Sequence, residues 1–383
     1  MINRDRLGET FRKLAGIDSV SREEGAISIE IRKILESLGA DIYIDDSGRR
    51  TGSNTGNLIA KFEGNSRAPA LLLNAHMDTV EPGKGVKPEF VDGVFKSDGT
   101  TVLGADDKSA IAIIIESLRV IRENDLPHGP LEIVFTTCEE IGLLGAKHLD
   151  FGLLEAGFGF ALDTADTETI ITMAPASNRF DLTVHGKSAH AGADPEKGIN
   201  AIALASQAIA KLELGRIDSE TTANIGFIKC TGATNIVPDQ VQVKGEVRSH
   251  DGEKLEQVTG RIIEAFERVV ETSPQRDDAA GLPRVSFHVE NEFPKTFIPE
   301  THPVVRLAKS AAENLGRQIV SKRTGGGSDA NIFYSKGIIT GVIGTGMRDI
   351  HTVREWIRLD DMVETARLLI EIVRLHAGQG PAS

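Results

Sequence analysis

Two histidines and several carboxylates stand where apolar runs of this chain give way to polar ones. His76 and Asp78 close APALLLNAHMDTV, and Glu139-Glu140 follow LEIVFTTC. Asp163 follows GFGFAL, and His351 lies in GMRDIHTVREWI after the apolar GIITGVIGTG. Asp106-Asp107 precede a helical pattern, ADDKSAIAIIIESLRVIREN. Strand alternation puts His76 and Asp78 on one side. A neutral imidazole is a zinc ligand, and a carboxylate beside it can fix its tautomer. In the Glu139-Glu140 pair one carboxylate can hold a metal while the other handles protons. Taken singly, each group also reads as a polar strand end, a loop residue or, for Asp106-Asp107, a helix cap. Taken together, two histidines and three carboxylates have the number and hardness for two zinc ions sharing one carboxylate; manganese or cobalt suits similar ligands.

These groups need a scaffold that brings them to one edge. Apolar strands alternate with helical patterns through the first 170 residues, which predicts an α/β sheet covered on both faces. Ligands of such sheets sit beyond the carboxyl ends of the strands, where His76, Asp78, Glu139, Glu140 and Asp163 fall. Residues 5–38 read as a helical opening broken near GIDSVSREEG, with Ser19, Ser21, Glu23 and Glu24 offered as caps for the second helix and Gly39 as its stop. A hairpin is expected at FVDGVFKSDG. From 178 to 291 the order becomes strand–helix–strand–strand–helix–strand, ferredoxin-like in its sequence of elements. The α/β pattern then resumes. The expected organisation is therefore a discontinuous catalytic domain, 1–177 and 292–383, with an inserted α+β domain at 178–291. Only the tail GQGPAS reads as disordered.

Composition excludes several classes. The formal net charge of −13 makes nucleic acid a poor partner for the overall field. No apolar run approaches the length that spans a bilayer, and the N-terminus lacks a signal-peptide core. Two cysteines, Cys138 and Cys230, supply no disulfide framework and fit a reducing compartment. A cytoplasmic enzyme without membrane partners is expected, with Cys138 in the core. Gly325-Gly326-Gly327-Ser328-Asp329 lacks the Gly-Lys-Ser/Thr ending of a phosphate loop.

LLLNAHMDTV, GADDKSAIAI, FTTCEEIGLLGAK, ALDTAD, GKSAHAGADPEKGINAI, GGGSDANIF and IHTVREW occur in this order between residues 71 and 356. With them the chain resembles the M20 metallopeptidase family, in its peptidase T-like, tripeptidase branch. The resemblance implies a zinc-peptidase-like domain with a mixed central sheet flanked by helices, plus a lid or dimerisation domain at the insertion. It assigns His76, Asp106 and Asp163 to one metal ion, and Asp106, Glu140 and His351 to the other. Asp78 matches the acid that orients the metal-binding histidine, and Glu139 the general base. A cis peptide is implied between Asp106 and Asp107. His190 matches a lid histidine that touches the reacting carbonyl oxygen, often across a dimer. Asn235 and Arg248 match substrate-holding residues, and Gly326 and Gly327 belong to a loop against the substrate backbone. The expected activity is dinuclear zinc-dependent hydrolysis of short peptides, as a tripeptide aminopeptidase and homodimer. An N-acyl amino acid amidohydrolase or dipeptidase shares most of these motifs. A dimeric binding protein with a dead site would lack Glu139 or a ligand, and here all are present.

Overall fold

The computed structural model of the chain describes residues 2–378. All of the expected disordered tail but Gly378 lies outside them. The chain divides into two compact units. One comprises residues up to Met173, Phe297–Arg323 and Ser328 onward; the other comprises Ala174–Thr296 and Thr324–Gly327.

The first unit is built on a nine-stranded mixed sheet. Its centre runs, in spatial order, Leu131–Thr136, Leu71–His76, Phe158–Thr164 and Ile339–Gly344. These four strands are parallel to their neighbours, so their carboxyl ends share one rim. Leu58–Phe62 and Asp41–Ile44 extend one side antiparallel. Leu131–Thr136 and Leu71–His76 are buried along their whole length, and the other two central strands are buried except toward their ends. Leu71, Leu73 and Ala75 face a core with Ile133, Phe135 and the helix residues Phe11, Ile111 and Leu369. Leu72 and Val134 face the opposite core with Leu149 and Phe333. Burial on both faces is what makes these strands read as continuous apolar runs rather than alternating ones.

Local chemistry departs from the simplest reading at two places. Ser19 and Ser21 do not cap the helix Gly25–Ser37, which has no side-chain cap bond. Their hydroxyls donate instead to the Met77 carbonyl (2.9 Å) and to Asp78 Oδ2 (2.6 Å). The acidic pair within the first turn of the helix Ala105–Glu123 is not its cap either; Gly104 holds that position. Asp106 (φ −84°, ψ 101°) and Asp107 (φ −122°, ψ 23°) are outside helical geometry. The Asp106–Asp107 peptide is cis, and so are Glu81–Pro82 and Leu282–Pro283. The expected hairpin forms from Glu89–Val91 and Val94–Lys96, turning through Asp92 and Gly93 at positive φ. Trp356–Arg358 adds a third strand to it.

The second unit is a five-stranded sheet in the order Gly215–Arg216, Thr221–Lys229, Gln240–Ser249, Ala176–His185, Arg284–Phe293, every pairing antiparallel. Numbering its four long strands along the chain gives the spatial order 2-3-1-4, the ferredoxin-like arrangement. Helices Ala201–Ile209 and Gly252–Glu271 pack with Phe180, Leu182, Val243 and Val247 of the sheet into one core. Asp251 caps the longer helix, accepting from the N–H groups of Glu253 and Lys254.

The helix Arg4–Ala15 is pinned to the helix that follows Asp106 by a buried acid. Glu116 accepts from Arg6 Nε (2.7 Å) and Nη2 (2.9 Å) and from the Asn3 N–H (3.0 Å). Glu116→Ala strips these charge-assisted bonds, each worth about 1.5–3 kcal/mol, but the half-buried Arg6 retains Glu123. A net loss of about 2–3 kcal/mol is expected in urea unfolding; an unchanged midpoint would contradict this pinning.

Candidate metal centre

Parallel strands end on one rim, and the groups singled out in the sequence meet there. His76 ends its strand and is 2% exposed. Its Nδ1 donates to the main-chain carbonyl of Asp78 (2.9 Å), which leaves Nε2 facing Asp106 Oδ1 at 3.0 Å. Asp106 Oδ2 lies 3.2 Å from His351 Nε2, so this carboxylate stands between the two histidines. His351 Nε2 also meets Glu140 Oε1 at 3.0 Å. His76, Asp106 and Glu140 form one group whose potential ligand atoms lie within 4.8 Å of one another; His76, Asp107 and Asp163 form another.

Asp78 is fully buried, and its carboxylate does more than the sequence indicates. The close partner of His76 is the Asp78 carbonyl, while the carboxylate oxygen is 3.4 Å from Nδ1. The carboxylate accepts the N–H groups of Glu139 (2.9 Å) and Glu140 (3.3 Å) and the Ser21 hydroxyl. It therefore holds the turn that presents both glutamates. Cys138, buried as expected, enters that turn at φ 53°, and its N–H donates to the buried Glu24 (2.9 Å).

So many acids in one buried place shift one another. Burial pushes the carboxyls of Glu139, Asp163 and Asp107 well above their ordinary values, and neighbouring carboxylates add to the shift. Glu140 is raised by burial too. Burial acts the same way on Asp106, but hydrogen bonds from His351 and His76 outweigh it and hold that carboxyl below the usual range. Asp106 and Glu140 in turn raise the His351 imidazole to about 10.

The donor set fits divalent cations. One histidine has its tautomer fixed by a carbonyl behind it, and Asp107 Oδ1 is buried with no hydrogen-bond partner. Hard oxygen donors mixed with imidazole suit zinc, manganese or cobalt. Three groups near the cluster carried no assignment in the sequence reading. Asp107 is the second half of a doublet of which one member was assigned. Glu355 accepts backbone N–H groups of the Asp106 segment. Asp329 is buried, bonded to the Thr136 hydroxyl and raised by burial to about 6. All three lie inside the motifs GADDKSAIAI, IHTVREW and GGGSDANIF, and that membership is the one signal that could have flagged them.

The remaining expected residues belong to the second unit. His190 is exposed, and its Nδ1 accepts the N–H groups of Gly192 (3.2 Å) and Ala193 (3.1 Å). Acceptance at Nδ1 requires the neutral tautomer with its proton on Nε2. Asn235 is exposed, and its carbonyl accepts the Ala191 N–H (2.9 Å). Arg248 pairs with Glu246 (3.0 Å), lies over the Phe293 ring and keeps a buried Nε without a partner. Gly326 donates its N–H to Thr324 Oγ1 (3.2 Å). A Cβ at Gly327 would fall 2.4 Å from the Phe293 ring, so the close approach there requires glycine.

An α/β sheet whose strand ends gather histidines and carboxylates defines a class of metal-dependent hydrolase. The chain belongs to peptidase family M20/M25/M40, which it matches over residues 72–375. It is therefore a peptidase. It is 39% identical to the crystal structure of aminopeptidase PepT from Bacillus cereus, with a TM-score of 0.86 over 99% of this chain and 100% of that one. A tripeptidase from Staphylococcus aureus is 37% identical, with a TM-score of 0.90 and the same coverage. The protein YqjE of Bacillus subtilis is 40% identical over 97% of this chain and 99% of its own. No helix among the described residues is long and apolar enough to cross a membrane.

Metal analysis is expected to find up to two divalent ions per chain, bound with release of protons because carboxyl and imidazole groups must give theirs up. Calorimetry in buffers of different ionisation enthalpy reads that release directly. Full activity of thoroughly demetallated protein would refute a metal centre.

Proposed function

We propose that this protein is a dinuclear, zinc-dependent aminopeptidase of tripeptides. The observation that carries the hydrolytic reading is the set of five ligand-type residues, His76, Asp106, Glu140, Asp163 and His351, with the buried Glu139 beside them. The substrate class is supported by near-full-length similarity to chains named aminopeptidase PepT and tripeptidase. In this reading His76, Asp106 and Asp163 hold one ion and Asp106, Glu140 and His351 the other. When bound, the ions supply Lewis acidity to the scissile carbonyl and acidify the attacking water.

The chain's own residues do the rest. Glu139 takes a proton as water attacks the carbonyl carbon, and returns it to the amine nitrogen that leaves. Its burial favours the protonated form it must hold between these steps. Asp78 keeps Glu139 in place through the main chain and His76 through its own carbonyl. His190 offers Nε2–H to the carbonyl oxygen as negative charge grows there. The Arg248 guanidinium pairs with the peptide's terminal carboxylate, a planar match for its fork. Asn235, Gly326 and Gly327 contact the peptide backbone. The 178–291 insertion acts as lid and dimerisation domain, between catalytic segments 1–177 and 292–383. The dimer reading is supported by the edge strand Arg284–Phe293, ten residues long and paired on one side only within its sheet. Free Cys138 and Cys230 support a cytoplasmic setting.

Four outcomes check this reading. Zinc-loaded protein assayed on di-, tri- and tetrapeptides and on N-acyl amino acids should cleave tripeptides with a free amino group fastest; preference for N-acyl amino acids would replace the substrate assignment. Glu139→Gln should keep its metal content and lose about 10²–10⁴-fold in kcat. If His190 serves a partner's site, mixing His190→Ala with Glu139→Gln chains, after verified subunit exchange, should restore part of the activity. A fully active monomer in light scattering would eliminate the dimer.

A further inference from the structure

Glu355 is a carboxylate only 1% exposed, and among the described residues its side chain is bonded to backbone N–H groups rather than to a lysine or arginine. Its Oε2 accepts the N–H groups of Leu103 (2.8 Å) and Gly104 (2.8 Å), and its Oε1 accepts the Asp106 N–H (2.9 Å). The three donors form the segment that leads into the non-helical Asp106–Asp107 step, so they have no intrahelical partners. Glu355 reaches this segment from some 250 residues away, out of the loop that carries His351. That loop is closed at its neck. Arg348 and Trp356 exchange N–H···O bonds of 2.9 and 3.1 Å, and Glu355 N–H donates to the Thr352 carbonyl (3.1 Å). Trp356 in turn pairs with Lys96 of the hairpin. The same loop sets His351, at φ 60°, 3.2 Å from the Asp106 carboxylate. Asp106 is thus gripped twice by one loop: at its backbone by Glu355 and at its side chain by His351.

We infer that Glu355 is a positioning residue. It locks the backbone of Asp106 to the loop of His351, and so sets the spacing between groups that come from opposite ends of the sequence. Its chemistry suits the task. An ionised carboxylate accepts on both oxygens, whereas an amide presents a donor on one side. Glutamine at this position must turn its NH₂ either toward Asp106 N–H or toward the two N–H groups of Leu103 and Gly104. Either way at least one buried donor loses its acceptor. The inference rests on the reading of the cluster as a metal centre, so its test measures metal binding directly.

The experiment compares full-length wild type with Glu355→Gln and Glu355→Asp. Zinc affinity is measured by competition with a chromophoric chelator, and the visible spectrum is recorded after cobalt substitution. Far-UV circular dichroism and thermal unfolding are followed on metal-free protein. Glu355→Gln should bind zinc about 10–100-fold more weakly, the range for lost support of a metal ligand, with an altered cobalt band and a folded metal-free chain. Glu355→Asp keeps the charge but is one methylene short, and should fall between the two. Folded variants with wild-type zinc affinity and an unchanged cobalt spectrum would overturn the inference and leave the metal reading intact. A wild type that binds no divalent ion would overturn both. If neither variant folds without metal, Glu355 supports the fold as a whole, and its assignment to the site is overturned.

Discussion

Too many acids share too small a buried space at the rim of the central sheet. Asp78, Asp106, Asp107 and Glu139 are each less than a tenth exposed, and Glu140 and Asp163 lie beside them. Isolated buried carboxylates are costly, and each raises the others' affinity for protons. Two histidines offset part of this, visibly at Asp106, which stands between them. Divalent cations would offset much more. The surrounding architecture keeps these groups together against their repulsion. Parallel strands deliver them to one edge, and covered sheet faces keep that edge from opening.

The acids divide into those that face the shared space and those that hold the backbone behind it. Asp78 accepts from Glu139 and Glu140, and Glu355 from Leu103, Gly104 and Asp106; Glu24 accepts from Cys138. In each case a buried carboxylate satisfies backbone N–H groups of a turn that belongs to no helix or strand ladder. Loops between parallel strands leave such donors unmade, and buried donors need acceptors. The same solution serves two purposes: it satisfies the turn, and it fixes where the turn's functional side chain points.

The second unit has a different economy. Its core is an ordinary apolar seam between two helices and one sheet face. Its polar features are local: a histidine whose tautomer is set by two backbone N–H groups, and an arginine held by Glu246 and Phe293. The Nε of that arginine is buried without a hydrogen-bond partner.

Much of this was legible in the residues. Apolar runs marked the central strands because both faces of a parallel sheet are buried, and the acids and histidines at their ends followed from that pattern. The ferredoxin-like order of the inserted elements could be read from periodicity alone. Partnerships could not. Ser19 and Ser21 look like helix caps, because serine before a helical pattern usually is one, yet their hydroxyls turn to the strand end at Met77 and Asp78. Asp78 looks like a side-chain partner of His76, yet its carbonyl takes that part and its carboxylate holds a turn. Asp107 and Glu355 carry no periodic signal at all. Propensity and periodicity act over a few residues and so decide which elements form. A hydrogen bond between residues some 250 positions apart depends on how those elements pack, and that exists only in the folded chain.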